Sequence, residues 1–226
     1  MEGRDGLGEI SGRHPDLNIS DSLCGDDHPQ LQLTDKSGVD VALELIRVNP
    51  SRSITYIVLG PLTNLAHMIQ KDGDLVRDKI GRIICMGGAL DVPGNTSPVA
   101  EFNFFADPYA VKDLLLSLEP HSGLPLDRFV LVPLDITTLH ELPFPVYQER
   151  VDPSFDSFAN TSLGKPPLVH FTSSFLERTR EIMIKFGKDA MELHDIVAVW
   201  CAIENPPNLE LSAGWKARTR FFDVER

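Results

Sequence analysis

The chain has 226 residues, 42% of them hydrophobic and 24% charged, enough for one sizeable core and typical of a water-facing globular protein. A formal net charge of −12 argues against nucleic acid or an anionic membrane as partner. Cys24, Cys85 and Cys201 are odd in number and widely spaced, which excludes a disulfide scaffold and fits incidental thiols in a reducing, cytoplasmic setting. No apolar run is long enough to span a bilayer, and no signal peptide is visible.

In chain order, residues 13–36 carry His14-Pro15 and Gly25-Asp26-Asp27-His28-Pro29 with little periodicity, which predicts an irregular loop. Ser37-Gly38-Val39-Asp40 has the form of a capping box, and Val41, Ala42, Leu45 and Ile46 mark the inner face of a helix ending near Asn49-Pro50. Ile54 to Leu59 is short, branched and apolar on both faces, as a buried parallel strand is. Leu62 to Gln70 reads as helix, with Leu62, Leu65, Ala66 and Ile69 inward. Arg82 to Met86 is a second strand, closed by Gly87-Gly88.

Asp107-Pro108 opens the next helix, which runs to about Leu118. Phe129 to Leu134 is a third strand. The stretch from Leu142 to Pro167 is rich in Pro, Ser and Asp, Phe171 to Phe186 is helical, and His194 to Glu204 is a compact helix with Ile196, Val197, Val199, Trp200 and Ile203 inward. Alternating helices and doubly apolar strands indicate one α/β domain over residues 1–226, with an open, mostly parallel sheet flanked by helices. In such sheets ligands bind beyond the carboxyl ends of the strands, where Leu59, Gly87 to Asn103 and Asp135 fall.

The segment Gly94-Asn95-Thr96-Ser97-Pro98-Val99-Ala100-Glu101-Phe102-Asn103-Phe104-Phe105-Ala106-Asp107-Pro108 is the richest in chemistry. If it is extended, Glu101 and Asn103 share one face while Phe102 and Phe104 take the other. Convergent amides and a carboxylate suit a polyhydroxylated ring such as ribose; the same side chains could equally cap turns. His194-Asp195 could be a helix cap, and Asp135 a turn residue. Asp26-Asp27 fits a solvated turn better than a metal pair, and His67, His121, His140 and His170 show no ligand spacing.

Four ordered stretches resemble the inosine/uridine-preferring nucleoside hydrolases. They are Asp5-Gly6-Leu7-Gly8, Leu59-Gly60-Pro61-Leu62-Thr63-Asn64-Leu65-Ala66, Met86-Gly87-Gly88 followed by the 94–108 segment, and His194-Asp195, together covering Asp5 to about Asn205. That resemblance implies hydrolysis of the N-glycosidic bond of a ribonucleoside such as inosine or uridine. Asn95, Glu101 and Asn103 would bind ribose hydroxyls, His194 would serve the departing base, and Asp195 with the Leu59 carbonyl would ligate calcium. It also implies a possible homo-oligomer. Members open with an Asp-rich strand, D-x-D-x-x-x-D-D, that supplies the base and most calcium carboxylates. This sequence lacks it and begins at Met1-Glu2-Gly3-Arg4, with Glu2 where the family has His, so the resemblance implies a domain truncated at its N-terminus and short after Trp215. The competing expectation is a non-catalytic homologue that binds a ribosyl ligand or a partner subunit.

Overall fold

A computed structural model describes residues 5–18, 34–117, 122–155, 164–207 and 209–224. Glu2, Gly3, Cys24, Asp26, Asp27, His28 and His121 lie outside the described residues. The elements in chain order are α1 (Ile10–Arg13), a 3-10 turn (Pro15–Leu17), α2 (Gly38–Val48), β1 (Ile54–Val58), α3 (Thr63–Lys79), β2 (Ile80–Met86), α4 (Phe102–Ala106) and α5 (Pro108–Leu115). A 3-10 turn at Leu126–Arg128 leads into β3 (Phe129–Val132), followed by α6 (Leu134–Thr137), β4 (Glu141–Pro143), α7 (Phe144–Arg150), α8 (Pro167–Lys185), β5 (Ala190–Glu192) and α9 (His194–Glu204). Two compact units form: Met1–Asp35 with Glu141–Glu192, and Lys36–His140 with Leu193–Arg226.

The larger unit is built on a parallel sheet in the order β1-β2-β3, with Val58 level with Cys85 and Met86 level with Val132. β2 is central, and its alternating side chains fill two cores. Ile83 and Cys85 face Leu43, Leu65, Met68, Val76 and Val111 from α2, α3 and α5. Ile84 and Met86 face Val197, Ala198, Cys201 and Ala202 of α9. Ile83 and Ile84 are fully buried, and removing such a side chain from water contributes about 1.5–3 kcal/mol.

The helices depart from the periodicity in instructive places. In α2 the buried residues are Leu43 and Ile46, with Val39 and Ala42 packed beside them; Leu45 falls off that stripe and is exposed. The cap is as expected, since Ser37 Oγ accepts from the Asp40 N–H at 3.2 Å. α3 runs past Gln70 because Asp72, at φ −155°, breaks the helix and then caps its continuation, its Oδ1 accepting from the Leu75 N–H at 3.2 Å. In α9 Val197 is buried as expected, but Ile196, Trp200 and Ile203 are exposed. The small side chains of Ala198, Cys201 and Ala202 bring the helix close to the sheet, and Trp200 lies outside against Trp215, ring centroids 5.2 Å apart.

The smaller unit pairs β4 with β5 antiparallel and packs Phe144, Tyr147, Phe155 and Leu176 into a core of its own. Arg180 sits 5.7 Å from the Phe144 ring centroid while binding Asp189 at 2.7 Å. Among the described residues of the stretches 13–36 and 142–167, a 3-10 turn forms at Pro15–Leu17 and a helix, α7, at Phe144–Arg150. No helix among the described residues is long and apolar enough to cross a membrane.

Candidate functional site

β2 ends in Gly87-Gly88, and three elements are tied together there. The Gly88 carbonyl accepts from the Leu134 N–H at 2.9 Å, joining the turn to the residues after β3. The Gly88 N–H donates to Glu101 Oε2 at 2.9 Å, joining it to α4. Both glycines face the Phe104 ring: a Cβ on Gly87 would lie 2.6 Å from it, and Gly88 has φ +75°.

Glu101 is 2% exposed, so its carboxylate depends on protein donors. It accepts from Asn103 N–H at 2.8 Å and Phe104 N–H at 3.1 Å, capping α4. Residues 102–106 are therefore a helix, and the extended arrangement expected from the Phe alternation does not form. The reason is local: a side-chain oxygen at the N-cap satisfies the amides that a strand would have to pair elsewhere. Asn103 still turns inward, its Nδ2 donating to the Met86 carbonyl at 3.1 Å. Asn95 is exposed, and its Oδ1 accepts from the Phe102 N–H at 2.9 Å.

α9 begins at the same end of the sheet. His194 Nδ1 lies 2.7 Å from the buried Thr137 Oγ1, which orients the imidazole. Asp195 is exposed by surface, yet desolvation by the surrounding protein raises its carboxyl above the ordinary range; Glu101 adds to the rise and His194 opposes it. The Glu101 charge, 94 positions away in sequence, thus acts on Asp195 as a repulsion. Leu59 follows the last residue of β1.

Asp135 takes the structural option: its carboxylate accepts from the Leu90 and Asp91 N–H groups at 2.9 and 2.7 Å and so holds the loop after Gly88. A cavity of about 500 Å³ opens beside the site, lined by Gly88, Leu90, Glu101, Phe104, Phe105 and Phe222 among others. Asn95, Asn103, His194, Asp195 and Leu59 are not among its lining residues. Burial, followed by the Glu101 charge, pushes the Cys85 thiol up to about 12, so it is inert packing; Cys201 is likewise a free, buried thiol. Thr137 was missed in the sequence because a hydroxyl 57 positions from its imidazole leaves no spacing signal.

Comparison with known proteins shows which family the sequence resembles. The family model described as inosine-uridine preferring nucleoside hydrolase matches residues 1–225. A probable uridine nucleosidase 2 of Arabidopsis thaliana is 37% identical over 102 residues, 42% of this chain and 31% of that protein. A pyrimidine-specific ribonucleoside hydrolase RihA of Shewanella oneidensis is 37% identical over 141 residues, 58% of this chain and 44% of that protein. The aligned segments therefore span less than half of these relatives. The solved structure of a plant nucleoside hydrolase, PpNRh1, superposes with a TM-score of 0.56 at 26% identity, covering 83% of this chain and 55% of the other. That of a purine-preferring ribonucleoside hydrolase from Gardnerella vaginalis gives a TM-score of 0.60 at 24% identity, covering 77% and 49%, and speaks for the fold alone.

Proposed function

From the premise that the chain belongs to the inosine-uridine preferring nucleoside hydrolase family, we propose that it serves the hydrolysis of a ribonucleoside to ribose and free base, in a cytoplasmic setting. Asn95, Glu101 and Asn103 hold the ribose hydroxyls, and His194 stands by the departing base. The observation that supports this most is the anchoring of Glu101 and Asn103 to the end of β2, with the Glu101 charge felt as a repulsion by Asp195 in the first turn of α9.

The carboxylate of Glu101 has lone pairs beyond the three N–H donors it already binds, so a sugar hydroxyl can add to it without displacing the cap. The transition state for cleavage of the C1′–N bond carries positive charge on the sugar, which a fixed carboxylate nearby stabilises. His194, oriented through Thr137, can present its other nitrogen to the base.

The family resemblance implies calcium, a Lewis acid that would bind the attacking water and the sugar hydroxyls. Asp195 and the Leu59 carbonyl are oxygen donors of the right kind, but they are two where the ion takes about six to eight. No step is therefore routed through the ion. A second reading is a homologue that binds a ribosyl ligand without cleaving it. Incubating the 226-residue chain with inosine and with uridine in calcium, and measuring ribose as reducing sugar, separates the two. Release that is abolished by Asn103→Ala and Asp195→Ala supports hydrolysis. Ribose binding by calorimetry without release supports the second reading, and neither binding nor release refutes both.

A further inference from the structure

The smaller unit holds two imidazoles that the proposed chemistry does not use. His14 follows α1 and is 2% exposed; His170 lies in the first turn of α8 and is 6% exposed. Their rings meet edge to face with centroids 5.5 Å apart. Asp16, in the 3-10 turn just after His14, brings Oδ2 to 2.8 Å from His170 Nε2. One ligand atom from each of His14, Asp16 and His170 lies within 4.8 Å of the other two. Glu177, two helical turns beyond His170, has Oε2 at 3.0 Å from His14 Nε2 and is held by Arg13 at 2.9 Å.

An ordinary buried histidine has one partner and its own direction. Here two imidazoles sealed from water and a carboxylate bring ligand atoms within 4.8 Å of one another from two segments 154 residues apart. Zinc binds imidazole nitrogen and carboxylate oxygen at about 2.0–2.2 Å, which puts tetrahedral ligand atoms roughly 3.4 Å apart. Closing the trio to that spacing takes a contraction of at most about 1.4 Å, a shift that side-chain rotation supplies. The donor set of two nitrogens and one oxygen suits zinc or a similar borderline cation; calcium and magnesium want oxygens throughout. Asp16 is half exposed, so a fourth position faces water, with Glu177 beside His14 as the nearest further carboxylate.

We infer that His14, Asp16 and His170 form a zinc-class cation site that fastens residues 10–17 onto α8. It is distinct in residues and in chemistry from the oxygen donors Asp195 and Leu59. Its physical effect is a staple: the cation binds the folded arrangement and not the unfolded chain, so the metal stabilises the join by mass action.

To test it, the 226-residue chain is stripped with EDTA and titrated with zinc chloride by calorimetry, and metal retained after desalting is counted by atomic emission. One zinc per chain is expected, with a melting temperature that rises with zinc concentration. His170→Gln and Asp16→Asn should each weaken binding about 30-fold or more, since changing even a group behind a ligand costs about 10–100-fold and these are the ligands themselves. Asp195→Asn should bind zinc as the parent does. No retained zinc, or equal affinity in the parent and both ligand variants, overturns the site and leaves a plain histidine–carboxylate cluster. Should the variants fail to fold, cobalt(II) added to the unaltered chain decides: a visible band of tetrahedral intensity supports the site, and its absence overturns it.

Discussion

The Gly88 N–H donates to Glu101 Oε2 at 2.9 Å, and through this bond the end of the central strand and the start of α4 become one rigid piece. A carboxylate at 2% exposure is tolerable there because it also receives two helix N–H groups. Glu101→Gln keeps the volume but replaces one oxygen with an NH₂ that faces donors. A stability loss of about 2 kcal/mol is expected, measured by urea unfolding, since hydrogen bonds to charged groups are worth roughly 1.5–3 kcal/mol. Base release should fall about 100-fold, the scale of an ångström's misplacement in a site. Unchanged stability would show that the cap is dispensable.

Gly94 and Gly38 make a matched pair of alanine substitutions. A Cβ on Gly94 would lie 2.3 Å from the Ala100 carbonyl oxygen and 2.4 Å from its nitrogen, and neither backbone atom can move aside cheaply. Gly94→Ala should destabilise the chain by about 1–3 kcal/mol and weaken ribose binding, because Asn95 is carried on the same turn. Gly38, at the first position of α2, has nothing within 4 Å of a Cβ. Gly38→Ala should stabilise by about 0.4–1 kcal/mol in thermal or urea unfolding.

Thr137 acts through His194. Thr137→Val removes the hydroxyl that lies 2.7 Å from Nδ1 and leaves the buried volume nearly filled. We expect kcat to fall about tenfold, a fraction of what a positioned acid–base group supplies, with KM changed far less. Ser should restore activity where Val does not. Equal kcat in all three would mean that Thr137 only packs.

Asp152 sets an acid limit on the smaller unit. Burial alone would raise its carboxyl, but the Lys165 ammonium at 2.7 Å and the Ser173 and Ser154 hydroxyls at 2.6 and 2.7 Å hold it down to about 2. A depressed folded value means that the charged form is favoured by folding, so its stabilisation is fully present above the ordinary aspartate range near pH 4. It is lost as pH falls from about 4 toward 2, and amounts to roughly 2 kcal/mol. Asp152→Asn should lose that stability at pH 7 and flatten the fall below pH 4, as read from unfolding at a series of pH values.

The three parallel strands, the starts of α2, α5 and α9 and the residue types of the site could be read from the sequence. Ile54 to Val58, Arg82 to Met86 and Phe129 to Val132 announce themselves because a strand covered on both faces is largely apolar along its length; β2 begins two residues earlier, at Ile80. Ser37 and Asp107 announce their helices because the cap is a bond between neighbours in sequence. Only the tertiary structure decided that Glu101, the cap of α4, also takes the Gly88 N–H, that α9 turns its small side chains to the sheet and its Trp200 outward, and that Thr137 meets His194. Likewise His170 carries no spacing signal toward the His14–Asp16 pair and meets it only when residues 10–17 pack on α8. Local bonds and periodic burial are written within a few residues, whereas the partner of a buried polar atom is set by whichever distant segment the packing of the cores delivers to it.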